Sequence, residues 1–161
     1  DEAGGIVESR GDKAVGREGS SIAGGLTVGM IALNSHRDIA VAASTNGLGF
    51  KIPGRIGDAA IPGAGAHADG SVGAAVATGD GDIMSVYLPA FRAVEHMAQG
   101  MTPTEACEEA LRYVRGKQPA ATGALVCANI YGEYGAAKIG SRSFFYSVRN
   151  VKMSSTRINN I

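Results

Sequence analysis

The sequence predicts a layered α/β fold on three observations: apolar runs of strand length bounded by glycine and polar turns, a switch to helical period after Thr78-Gly79-Asp80-Gly81, and a return to strand-length runs in the C-terminal third. At 161 residues the chain is long enough for one hydrophobic core and too short for two ordinary domains.

Residues 1–26 are rich in glycine and charge with almost no apolar periodicity, and read as a flexible leader or linker. Order is expected from about Leu26. Residues 27–33 are nearly all apolar, 34–38 (Asn-Ser-His-Arg-Asp) form a polar turn, and 39–45 are apolar again, which is the pattern of a β-hairpin. Continuous hydrophobicity in both runs predicts a sheet covered on both faces. A long glycine-rich loop over residues 46–62 carries Lys51, Arg55 and Asp58, and loops of that length in compact domains tend to carry function. Short strands fit 63–68 and 71–78, where small residues let layers approach closely.

Ile83, Val86, Tyr87, Ala90, Val94 and Met97 then recur at helical spacing up to Gly100, a suitable C-terminal stop. Thr102 as N-cap, Pro103 in the first turn and Glu105 three residues after the cap predict a second helix to about Gly116. Strands at 124–131, 135–139 and 144–148 follow, the first two joined by a turn at Gly132-Glu133. The order is four strands, two helices, three strands, with residues 27–150 as one folded domain and 151–161 as a tail. Two helices cover one face of such a sheet, so the other face needs a cover from outside this chain or a self-association surface.

Composition removes several function classes. Fifteen Lys plus Arg balance fifteen Asp plus Glu without a long run of one sign, which excludes an electrostatic stripe for nucleic acid or anionic membrane. Apolar runs fall well short of the roughly 20 residues that span a bilayer. The chain opens on Asp1 and Glu2 rather than a basic then apolar stretch, so a cytoplasmic protein and a processed fragment are both open. Glycine, at 24 residues, is about twice its usual share of roughly 7%. Cys107 and Cys127 are too few for a zinc site on their own, and two buried thiols or one disulfide fit equally well.

His36, His67 and His96 show no ligand spacing, so structural or solvated roles are expected, with no metal and no cofactor. Asp80 and Asp82 form a carboxylate pair, but at a helix start, where negative charge meets the helix dipole favourably. By spacing alone, Arg55 and Asp58 read as an ion pair at i, i+3.

In combination these segments resemble a known family. Thr27-Val28-Gly29-Met30-Ile31-Ala32-Leu33, then Ser44-Thr45-Asn46-Gly47, then Gly54-Arg55-Ile56-Gly57-Asp58 with Ile61-Pro62-Gly63-Ala64-Gly65, and then Ala77-Thr78-Gly79-Asp80-Gly81-Asp82 are similar to the successive motifs of the glycosylasparaginase (aspartylglucosaminidase) group of N-terminal nucleophile hydrolases. The likeness continues through Gly123-Ala124-Leu125-Val126-Cys127-Ala128-Asn129 and Gly135-Ala136-Ala137, covering roughly residues 27–148. It implies the second, β-subunit half of the enzyme and part of a four-layer αββα sandwich, with a mostly antiparallel sheet and two helices on one face. Residues 1–26 are then either a leader or the tail of a missing first half.

The resemblance also implies a chemistry. A threonine hydroxyl needs an adjacent base, and in this class the base is the threonine's own α-amino group, with an ordinary pKa of about 7.7–8.0, freed by cleavage before Thr27. Thr27 would attack the side-chain amide of a glycosylated asparagine, with Thr45 tuning it, and the Thr78 hydroxyl and Gly79 N–H would form an oxyanion hole. Arg55 and Asp58 would hold the substrate's carboxylate and ammonium, with Thr78, Gly79 and Gly81 lining the same site. Cys107 and Cys127 match a disulfide pair of the family, a bond suited to an oxidising compartment, and the animal members imply a lysosomal or secretory route. Expected partners are the N-terminal half or α-type subunit of the same precursor, and a second copy of the assembled unit as homodimer.

Two departures stand out. Gly25-Leu26 precede the threonine where family members carry His-Asp, and leucine can neither accept nor donate the proton that helps the N-to-O acyl shift. Ala59-Ala60 replace Ser-Pro after the loop aspartate. Asn46 favours the glycosylasparaginase branch over the isoaspartyl peptidase and asparaginase branch, which tends to have glycine there. A non-catalytic relative acting as a subunit is the other alternative.

Overall fold

The computed structural model describes residues 5–10, 27–140 and 143–161, the first of these segments by its backbone alone. Its elements follow the chain as β1 (Gly5–Arg10), β2 (Thr27–Leu33), β3 (Ile39–Thr45), a 3-10 turn (Asp58–Ala60), β4 (Ala66–Asp69), β5 (Gly73–Gly79), α1 (Gly81–Tyr87), α2 (Pro89–Ala98), α3 (Pro103–Lys117), β6 (Gly123–Asn129), β7 (Tyr134–Ile139), β8 (Phe145–Asn150) and β9 (Arg157–Asn160).

Two antiparallel sheets result, ordered β3-β2-β1-β8-β9 and β4-β5-β6-β7. Period-2 alternation in the second sheet sends Ala74 and Val76 to one side and Ala75 and Ala77 to the other, so each strand serves two cores. Ala75, Ala77, Leu125, Cys127 and Ile139 pack under Met84, Val94, Leu111 and Val114 of the helices. Val76, Ala124 and Val126 on the reverse face meet Ile31, Tyr146 and Val148 of the five-stranded sheet. Small side chains on the middle strands bring the layers close. The described part is therefore an α/β sandwich of three layers, helices on sheet on sheet.

The β2–β3 hairpin has the predicted bounds, its turn closed by the Asn34 side chain, which accepts from the backbone N–H of His36 and Asp38. The predicted capping box of α3 is also present, with Thr102 Oγ1 accepting from Glu105 N and Glu105 Oε2 accepting from Thr102 N.

Four expectations are corrected. The helical run after Gly81 splits at Leu88, whose φ is 50°, because the following proline disfavours helical geometry before it and lacks an N–H; among the described residues three helices, not two, cover the sheet. Residues 5–10, placed in a leader, form the middle strand of the first sheet, paired with both β2 and β8; their apolar stretch is too short to signal a strand without those partners. The rest of that predicted leader lies outside the described residues. Residues 157–160, placed in a tail, pair with β8 as an edge strand. Finally, the strands covered on both faces are β5 and β6, whereas β2 and β3 have one exposed face.

That outer face carries Val28 (38% exposed), Met30 (39%) and Phe145 (38%), with Ala40, Ala42 and Ser44 exposed alongside on β3. Val28 pairs with Ser44 and Met30 with Ala42, so these residues share one side.

Candidate active site

The hairpin register sets Thr27 opposite Thr45 at the open end of β2 and β3. Their hydroxyls lie 3.0 Å apart and share a hydrogen bond. Thr45 Oγ1 also accepts from the Gly47 backbone N–H at 3.0 Å. Gly47 has φ 73°, a left-handed conformation in which glycine is least strained, and it turns that N–H back onto the strand end. A hydroxyl that accepts one bond keeps its own proton to offer to a neighbour.

The loop after β3 brings a cation and an anion to the same end. Arg55 donates from Nε and Nη2 to Asp82 Oδ1, at 3.1 and 2.6 Å. Asp58 is only 5% exposed, and its Oδ2 has no hydrogen-bond partner among the described residues. Burial pushes this carboxyl above its ordinary value; the backbone N–H groups of Asp58 and Ala59 and the Arg55 guanidinium pull it down less, and Asp80 adds a further push upward. The Asp58 carbonyl accepts from Ile61 N at 2.9 Å and Gly65 N at 3.0 Å, fixing the loop around the carboxyl.

Gly81 lies between these groups: a Cβ there would sit 3.0 Å from Asp58 Oδ1 and 3.2 Å from Arg55 Nη2. Half-buried Thr78 and exposed Gly79 end β5, two residues before Gly81. At Gly79 a side chain is excluded by φ 147° and by Thr122 O, 2.4 Å from where Cβ would be.

The structure thus joins Thr27 to Thr45 directly and Arg55, Asp58 and Gly81 to one another, while Thr78 and Gly79 lead into the second group along the chain. Gly47 connects the two, since a Cβ on it would lie 3.6 Å from Arg55 Nη1. The ion pair that spacing alone suggests between Arg55 and Asp58 is not the one formed: Arg55 pairs with Asp82, which α1 presents across the loop. Asp80 is the N-cap of α1, accepting from Asp82 N at 3.1 Å and Ile83 N at 3.3 Å. The reading of Asp80 and Asp82 as helix-start charges therefore misses the specific partner of the second.

Cys107 and Cys127 are disulfide-bonded, fully buried between α3 and β6, with Cα atoms 6.5 Å apart. His36 is exposed in the hairpin turn and His67 packs edge-on against Phe91, with centroids 5.2 Å apart. Among the described residues no group of three or more His, Cys, Asp or Glu is placed to hold a metal ion. Lys51, missed as a site residue, donates to Asn46 O at 3.1 Å, and its Nζ lies 3.5 Å from the Cβ position of Gly47.

Comparison with known proteins agrees with the sequence resemblance. A family profile described as asparaginase matches residues 6–158. The N(4)-(β-N-acetylglucosaminyl)-L-asparaginase of Rattus norvegicus is 50% identical over 111 residues, 69% of this chain and 32% of its own length. The mouse (Mus musculus) protein of that name is 48% identical over the same share of each chain, and a Drosophila melanogaster relative is 50% identical over 122 residues, 76% of this chain and 31% of its own. The chain spans about a third of the length of these relatives.

Proposed function

This chain belongs to the asparaginase family, and from that membership we propose that it forms the catalytic second half of an amidohydrolase cleaving the N4-(β-N-acetylglucosaminyl)-L-asparagine bond in glycoprotein degradation. The observation that carries the reading is the Thr27 hydroxyl held at a strand end by the Thr45 hydroxyl, itself held by the Gly47 N–H.

The reaction requires Thr27 at a free N-terminus. Opening the Leu26–Thr27 bond yields an α-amine that takes the proton of Thr27 Oγ1 as the oxygen attacks the substrate's side-chain amide carbonyl. Thr45 donates a hydrogen bond to the nucleophile and orients it. The Thr78 hydroxyl and the Gly79 N–H receive the charge that develops on the carbonyl oxygen, a contribution of around 3 kcal/mol per donor in comparable sites. The C–N bond breaks, the amine returns the proton to the leaving glycosylamine, and a β-aspartyl ester remains on Thr27. Water, activated by the same amine, hydrolyses the ester to aspartate.

Arg55 takes the substrate's α-carboxylate and Asp58 its α-ammonium. Asp58 Oδ2, without a partner among the described residues, supports this, because a buried carboxylate without a donor is costly until a cation reaches it. The exposed outer face of the first sheet supports a first half of the same precursor as its cover, with the assembled unit pairing as a homodimer. The buried disulfide and the mammalian relatives support a lysosomal or secretory compartment. Among the described residues no helix is long and apolar enough to cross a membrane.

The closest rival within the family is an isoaspartyl peptidase. Turnover of N4-glycosylated asparagine and of a β-aspartyl dipeptide by the assembled protein separates the two: the account expects preference for the glycosylated substrate and loss of activity in Thr27→Ala. Preference for the dipeptide replaces the substrate assignment, and a Thr27→Ala protein unchanged in every activity marks the chain as a non-catalytic subunit.

A further inference from the structure

We propose that Asp82 is a positioning residue that fixes which edge of the Arg55 guanidinium meets the substrate and keeps that guanidinium off Asp58. The proposal rests on the reading of Arg55 and Asp58 as the groups that bind the substrate's carboxylate and ammonium.

Arg55 sits on a loop, so its side chain needs an anchor on a rigid element to hold one orientation. Asp82 supplies it from the first turn of α1, a turn fixed in its own right by the Asp80 cap. Of the five N–H bonds of a guanidinium, Asp82 Oδ1 engages the Nε–Nη2 edge. The rest of the group is bounded by backbone: Cβ positions on Gly57 and Gly47 lie 3.1 and 3.6 Å from Nη1, and that on Gly81 lies 3.2 Å from Nη2. The Nη1–Nη2 edge keeps a parallel pair of donors, the geometry that a carboxylate accepts. Glycine at all three positions leaves the guanidinium a slot that side chains would narrow. The Arg55 side chain is 17% exposed and that of Asp82 71%, so the anchor is a wet residue holding a drier one.

The alternative partner is close by. Among the described residues Asp58 Oδ2 lacks a donor, and the Asp58 carboxyl already feels the Arg55 charge. Without Asp82, the guanidinium gains by turning to Asp58, and the two charges meant for the substrate cancel each other. Asp80 and Lys51 are further charged groups near this cluster. This mechanism differs from a masking role, in which Asp82 would compete with the substrate for Arg55 and its removal would tighten binding.

The test uses the assembled protein with Asp82→Asn, Asp82→Glu and Asp82→Ser, the last keeping a small polar residue in the first turn of α1 should asparagine unsettle the helix. KM and kcat for glycosylated asparagine and Kd for L-aspartate are measured, and the Asp58 carboxyl is followed by carbon NMR. The expected result is a rise of about 10-fold or more in KM and Kd, the scale of one charge-assisted contact, with kcat within about twofold. Asp82→Glu recovers most of the loss, and the Asp58 titration moves down in Asp82→Asn as Arg55 turns toward it. Unchanged or tighter binding in Asp82→Asn and Asp82→Ser, with the wild type active, overturns the proposal and leaves the function standing. A wild-type protein that neither binds L-aspartate nor turns over substrate removes the reading of Arg55 and Asp58, and this proposal with it.

Discussion

Thr45→Val removes one hydroxyl while keeping the shape and branching of the side chain. Among the described residues two hydrogen bonds of this hydroxyl go with it, the 3.0 Å bond to Thr27 Oγ1 and the 3.0 Å bond from Gly47 N–H. At about 0.5–1.5 kcal/mol each the pair is worth about 1–3 kcal/mol, and if that falls on the transition state kcat drops by about 5- to 150-fold. KM should move little, because the groups assigned to the substrate's charges, Arg55 and Asp58, make no bond to Thr45 Oγ1 among those described. Steady-state kinetics on glycosylated asparagine with the assembled protein reads both constants. Thr45→Ser, which restores the hydroxyl, should recover most of kcat. A Thr45→Val protein with kcat within twofold of wild type would refute the view that this hydroxyl holds the nucleophile; a rise confined to KM would move Thr45 to substrate binding.

Reduction of the Cys107–Cys127 disulfide should lower stability by about 3 kcal/mol, the loop-closure value for its 20-residue separation, seen as a fall of about 6–12 °C in thermal midpoint; an equal midpoint with and without reductant contradicts this. Asp58→Asn should stabilise the protein at about pH 7 while weakening substrate binding. Burial raises the folded-state carboxyl, so its stability contribution is greatest below the unfolded pKa and is lost as pH rises through the raised one; the gain from Asn should shrink toward zero near pH 4. A gain that grows on acidification reverses the sign of the argument. Thr102→Ala should cost about 1 kcal/mol through the α3 cap in chemical denaturation, and no change there means that the cap is redundant. Leu26→Asp together with Gly25→His should increase the fraction of chain cut before Thr27, measured by mass, because it restores a proton-bearing pair beside the bond.

Local chemistry wrote the legible parts of this fold. The β2–β3 hairpin and the α3 capping box are set by residues three or four apart, and their bounds follow from Asn34, Asp38, Thr102 and Glu105. The split at Leu88 was written in Pro89 but hidden by an apolar period that runs straight through it. β1 could not be read, because Ile6 and Val7 make a strand only when β2 and β8 flank them, more than 20 and 130 residues away. The same holds in the site. Thr27, Thr45, Arg55 and Asp58 stand out through a joint motif pattern, yet the partner of Arg55 is 27 residues distant on another element, so spacing pointed to Asp58 instead. An uncovered sheet face follows from the shortage of helices, but its place on β2 and β3 does not, because their alanines and valines give no sign of which side stays open.

The central claim is that Thr27 acts as an N-terminal nucleophile, and it is tested most directly by intact mass and N-terminal sequencing of the protein from its natural source. The account predicts a species beginning at Thr27, whose free amine makes the hydrolase mechanism available. A protein that always retains Leu26 on Thr27 would contradict it and identify the chain as a precursor or an inactive relative.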